Sequence, residues 1–249
     1  MLDISLFRNR PFLGVSLATF CIAAGMFAMF PYLSIYLQDV LGYSPLGAGL
    51  RFLPITAFVF FIPLATRKYM ARVPLWLPIG GGLLIVAGGL ALMRNVGSGS
   101  HWSALLPGFV VAGVGIGIAN PSLAAGALRV VDPTRTGMAS GINNTFRLSG
   151  VAVGVAALGA VLENRVSSLL ATKAGAVAHG LGSAVSAAGL KPVLSRPHLV
   201  HPAKVSFVGA LDDVLLLGSG IVLIGAVAAL TLMRQRAAAH EPATEGARG

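Results

Sequence analysis

The sequence predicts an all-α integral membrane protein built as a bundle of six transmembrane helices, and three observations predict it. Of its 249 residues, 55% are hydrophobic and only 10% are charged, whereas a soluble domain is about one quarter charged. The mean hydropathy is +0.82, and the apolar residues stand in long blocks rather than at scattered core positions. Each block is long enough to cross a hydrocarbon core of about 30 Å, which takes about 20 helical residues.

In chain order the spans are expected at Phe12–Leu37, Gly47–Thr66, Leu75–Met93, Ala104–Leu128, Gly137–Leu162 and Phe207–Met233. The first run is too long for the apolar core of a signal peptide, about 7–15 residues, and so reads as a membrane helix. Pro31, Pro54, Pro63, Pro107 and Pro121 fall inside spans; bilayer helices accept them because neighbouring helices satisfy the freed backbone groups. The chain therefore divides into an N-terminal segment (1–11), a membrane domain (12–233) and a small, polar tail (234–249) that is expected to be disordered and carries no lipidation signal.

Charge gives the orientation. If the N-terminus is cytoplasmic, Arg8, Arg10, Arg67, Lys68, Arg72, Arg129, Arg135, Arg234 and Arg236 all lie inside. The two short outer connections, Gln38–Leu46 and Arg94–Ser103, then hold Arg94 alone. The positive-inside rule places both termini in the cytoplasm. The same bias explains the net charge of +10. Nucleic acid is excluded as a partner, because the basic residues are dispersed and form no basic face with interleaved aromatics.

The long outer connection, residues 163–206, is rich in Ala, Gly and Ser and carries His179, His198 and His201. Their spacing, with prolines between, is not a ligand set, so no metal site is expected. Cys21, the only cysteine, lies in an apolar run and reads as a packing residue. No Ser/His pair, HExxH motif or carboxylate pair sits at bilayer depth, so no enzyme is expected.

Glycine carries further information. The fourth span reads GVGIGIANPSLAAG, with Gly113, Gly115 and Gly117 ahead of Asn120 and Pro121. The fifth reads GMASGINNTFRLSGVAVGVAALGAVL, in which Asn143, Arg147, Gly150 and Gly154 share one helical face. Small residues at such spacings let helix backbones approach, so Gly113, Gly117, Gly150 and Gly154 are helix-packing candidates. Packing does not account for Asn143 and Arg147, because polar groups at depth are costly.

These segments, with the opening LDISLFRNRPF and the hairpin FPYLSIYLQDVLGYSPLGAGLRFLP, resemble the C-terminal half of a major facilitator superfamily transporter. The similarity is to the 14-helix drug:proton antiporter branch, which exports quaternary ammonium compounds and other drugs, and it covers nearly the whole chain. It implies two inverted three-helix repeats that rock against another half around a midplane site. It further implies apolar or cationic drugs as substrates, a proton gradient in place of any cofactor, and a bacterial inner membrane as the location. The odd number of spans in each triplet gives the second triplet the opposite orientation independently of any family.

The departures matter too. Only one half is present, so a missing N-terminal half or a second copy is expected as partner. ATRKYMARVP, between the second and third spans, keeps the family's basic residues but lacks its glycine and aspartate. Asp3, Asp39, Asp132, Glu163, Asp212, Asp213, Glu241 and Glu245 all fall in loops, tails or helix ends, leaving no obvious proton switch in this chain.

Five residues are candidates for the substrate pathway or its gates. Arg147 either snorkels to the cytoplasmic face, lines the cavity bonded to Asn143, or sets the interface with the missing half. Arg51 either snorkels outward or gates the outer side by pairing with a carboxylate. Asn120 contacts substrate or caps carbonyls freed by Pro121. Tyr32 is an interfacial belt residue or, with Phe27 and Phe30, part of a drug-binding wall. Three functions remain open: half of an efflux carrier, a non-transporting remnant or partner-binding subunit, and a homodimerising half-carrier.

Overall fold

The computed structural model describes residues 9–70, 72–94, 97, 99–129, 136–174 and 181–238. Asp3, Arg8, Asp132, Arg135, His179, Glu241 and Glu245 lie outside the described residues, as does the tail from residue 239.

The apolar blocks form helices. The first, α1 (Arg10–Val40), is broken midway: it is α-helical to Gly25, tightens to a 3-10 turn at Phe27–Met29 and ends in a π turn at Tyr36–Val40. The tight turn directly precedes Pro31, whose ring cannot continue regular α bonding. Next come α2 (Pro45–Met70), α3 (Trp76–Leu92), α4 (Trp102–Arg129) and α5 (Thr136–Ala174). A short α6 (Leu181–Ala188) and α7 (Pro197–Ala238) complete the order. Ser44 caps α2, its Oγ accepting from the Gly47 amide at 3.1 Å.

Five helices, α1, α2, α4, α5 and α7, are long and apolar enough to cross a membrane. The third expected span forms as α3, whose 17 residues reach only about 25 Å. By contrast α5, with 39 residues, reaches about 58 Å, nearly twice a hydrocarbon core. The expected fifth and sixth spans are thus embedded in longer helices that run on into the 163–206 connection. From Ala160 to Ala174 there is neither Gly nor Pro to stop α5.

Packing follows a two-fold pattern. Along α1 and α5, Gly150 meets Phe20 and Ala23, while Gly154 meets Ala24, so the two helices run parallel. Along α4 and α2, Gly113 meets Ile55 and Gly117 meets Ile62, again parallel. Antiparallel neighbours are α1 with α7, where Gly25 abuts Gly218, and α4 with α3, where Gly115 abuts Gly82. The helices α3 and α7 pack on each other, joined by Ser219 Oγ donating to the Ala87 carbonyl at 2.8 Å. Exchanging α1 with α4, α2 with α5 and α3 with α7 interchanges the parallel pairs, interchanges the antiparallel pairs, and maps the α3–α7 contact onto itself. This is the contact pattern of two inverted three-helix repeats, α1–α3 and α4, α5, α7.

The core follows from the same arrangement. In α1, 72% of the apolar window is buried, against 11% in α2 and 22% in α5, so α1 is central and α2 and α5 form the edges. Beyond the bundle, the end of α5, α6 and the start of α7 cap the C-terminal end of α1. Lys204 Nζ donates to the Val40 carbonyl at 3.0 Å, and Gly189, at φ +67°, lies against Asp39. A side chain at Gly189 would be strained in that left-handed conformation and would strike the carboxylate.

Candidate functional site

The α1–α5 seam holds a connected set of buried polar groups. Thr19 Oγ1 lies 2.8 Å from Asn143 Oδ1 and 2.9 Å from the Val15 carbonyl. A hydroxyl has one proton to give, so both bonds form together only with the Asn143 amide turned round. Its NH2 then donates to Thr19, and Thr19 donates to Val15. Higher on the seam, the Tyr32 hydroxyl donates to the Val155 carbonyl of α5 at 2.6 Å. Tyr32 is buried, at 7% exposure, and ties two helices together.

Arg147 belongs to the same helix but not to this network. Asn143 spends its contact on Thr19 rather than on Arg147. The guanidinium is half-buried and makes no hydrogen bond or ion pair among the described residues. Gly150 and Gly154 face α1, where a Cβ on Gly150 would lie 2.6 Å from the Phe20 carbonyl oxygen. On α4, Gly113 and Gly117 face α2 as close-packing positions, and Asn120 is half-buried with no hydrogen bond among the described residues.

Arg51 is held by aromatics. Its Cζ lies 3.4 Å from the Tyr43 ring centroid and 5.6 Å from that of Trp102, while Nη1 donates to the Gly47 carbonyl at 2.8 Å. The stack joins the start of α2 to the start of α4. Neither aromatic partner adjoins Arg51 in sequence, and Thr19 is one hydroxyl in an apolar run; neither contact is visible before the helices are assembled.

The described carboxylates, Asp39, Glu163, Asp212 and Asp213, stand at the end of the bundle opposite Arg10, Arg67, Arg129 and Arg234. Because α5 and α7 continue past their spans, Glu163, Asp212 and Asp213 lie within helices rather than at their ends. Arg165 Nε pairs with Asp213 at 3.1 Å. Among the described residues no group of three or more His, Cys, Asp or Glu could hold a metal.

The two edge helices present different surfaces. Exposed on α2 are large apolar residues, among them Leu50, Leu53, Phe60, Phe61 and Leu64. Exposed on α5 are Ser140, Gly141, Asn144, Thr145, Ser149, Ala152 and Ala156, interrupted by Leu148 and Val153. Small and polar residues on a membrane helix mark a helix–helix interface rather than a lipid face.

The sequence that folds into this bundle matches a known family over residues 3–155. The chain belongs to the Major Facilitator Superfamily. This facilitator is a multi-pass membrane protein, and the match is to transporters rather than to enzymes. It is 29% identical over 233 residues to the multidrug efflux pump LfrA of Mycolicibacterium smegmatis, covering 91% of this chain and 46% of LfrA. It is 32% identical over 172 residues to the multidrug resistance protein Stp of Mycobacterium tuberculosis, covering 68% of this chain and 32% of Stp. It is 23% identical to the multidrug transporter protein MdtP of Bacillus subtilis, covering 93% of this chain and 48% of MdtP. The chain spans about half the length of LfrA and MdtP.

Proposed function

We propose that this chain forms one half of a multidrug exporter driven by proton antiport. The observation that carries the reading is the small, polar, exposed face of α5, with Arg147 beside it, on a helical bundle about half the length of LfrA and MdtP. Such a face is poorly matched to lipid and well matched to another helix bundle. The partner is the other six-helix half or a second copy of this chain. With α3 crossing the bilayer as the sixth span, both termini and the basic end lie in the cytoplasm.

In this reading the central helices α1 and α4 line the pathway together with Arg147 and Asn120. The substrates are apolar or cationic drugs. The described carboxylates cluster at one end, so the protonatable group that couples transport comes from the partner half. Arg147 orients that carboxylate or the substrate.

Ethidium accumulation in cells producing the chain together with its partner half tests the reading. Dye accumulation should fall relative to cells lacking the pair, and both a protonophore and Arg147→Gln should restore it at unchanged membrane abundance. Dye levels indifferent to the pair and to Arg147 would mean a non-transporting protein.

A further inference from the structure

At the basic end, a cavity of about 460 Å³ opens between the last two turns of α2 and α4. Pro63 and Pro121 line its inner part and Leu64 and Leu75 its walls, with Arg67 and Arg129 toward the helix ends. Leu64 is 66% exposed, so the cavity is continuous with the exposed apolar side of α2. We propose that this cavity binds the headgroup of an anionic phospholipid, its phosphate held by Arg67 and Arg129 and its glycerol and upper acyl carbons lying on Leu64.

Charge selects the ligand. Arg67 and Arg129 are exposed and make no ion pair or hydrogen bond among the described residues. A plainer role, offsetting the dipoles of two helix C-termini, has to be weighed. Each C-terminus carries about half a negative charge, whereas Arg67, Lys68, Arg72 and Arg129 bring four positive ones. Among the described residues every carboxylate stands at the opposite end, so none of them neutralises this surplus. Guanidinium groups bind phosphate in a bidentate fork. Arg67 lies one turn beyond Pro63 and Arg129 about two turns beyond Pro121, so the cations sit at headgroup level with the apolar wall below. A soluble anion would use the arginines but not that wall.

The test is native mass spectrometry of the full chain released from mixed phosphatidylcholine–phosphatidylglycerol vesicles. Phosphatidylglycerol should be retained well above its share of the vesicle. Arg67→Gln and Arg129→Gln should each lower that enrichment by about fivefold, while Arg94→Gln at the other end leaves it unchanged. Circular dichroism checks that each variant keeps its helices, and Arg67→Lys should keep part of the enrichment. Enrichment unaffected by either folded glutamine variant, or lowered equally by Arg94→Gln, would overturn the proposal. So would displacement of the lipid by excess inorganic phosphate, which would mark a site for a soluble anion. The readout does not depend on transport, so it stands or falls separately from the exporter reading.

Discussion

At the scale of single residues, the structure turns several isolated polar side chains into ties between helices. Thr19 joins Asn143 to the Val15 carbonyl. Thr19→Val keeps the shape but leaves the buried Asn143 amide short of a partner, and helix–helix hydrogen bonds in membranes average about 0.6 kcal/mol. A small fall in melting temperature in detergent is expected for Thr19→Val. A somewhat smaller one is expected for Thr19→Val with Asn143→Leu, because the double change removes the stranded group. Arg51 is a sharper case. Arg51→Lys keeps the charge but loses the planar stack on Tyr43 and the directed bond to Gly47, interactions worth about 0.5–2 kcal/mol in cation–π terms. Thermal unfolding followed by tryptophan fluorescence should show the lysine variant less stable than wild type, with Tyr43→Phe close to wild type. These partners were not legible in the sequence, since Arg51 and Trp102 come together only when α2 and α4 pack. Asn143 was legible as anomalous, but its partner was not.

At the scale of helices, hydropathy located the five helices long and apolar enough to cross a membrane and the shorter α3, because about 20 apolar residues in a row have few other uses. It did not locate the ends. Glu163 read as a loop residue and Asp212 and Asp213 as the start of the last helix, yet α5 and α7 pass through all three, since charge does not stop a helix that has left the hydrocarbon. The glycines of the fourth and fifth spans were legible as a packing device, and the structure supplies their partners: α2 for Gly113 and Gly117, α1 for Gly150 and Gly154. At Gly154 a Cβ would run into the Ala24 backbone, which cannot yield as a flexible side chain would. Gly154→Val should therefore sharply lower the yield of folded protein in membranes. Gly141→Ala on the same helix, where a Cβ meets nothing within 4 Å, should leave the yield unchanged. Quantitative immunoblotting of solubilised membranes checks the pair.

For the whole molecule, the exchange of α1 with α4, α2 with α5 and α3 with α7 makes this chain a bundle with its own core and a two-fold of its own. What it leaves open is the α5 face, small and polar where lipid would favour large and apolar. Cysteine chemistry offers a clean probe, because Cys21 is the single cysteine and is buried. Crosslinking of a Ser149→Cys variant in native membranes tests most directly the central claim that α5 docks another helical bundle. A short thiol-reactive crosslinker should join position 149 to a second six-helix body, either another half or another copy, and the introduced thiol should resist a lipid-soluble maleimide. A thiol there that reacts freely with the maleimide and forms no crosslink would show α5 facing lipid and would contradict the claim.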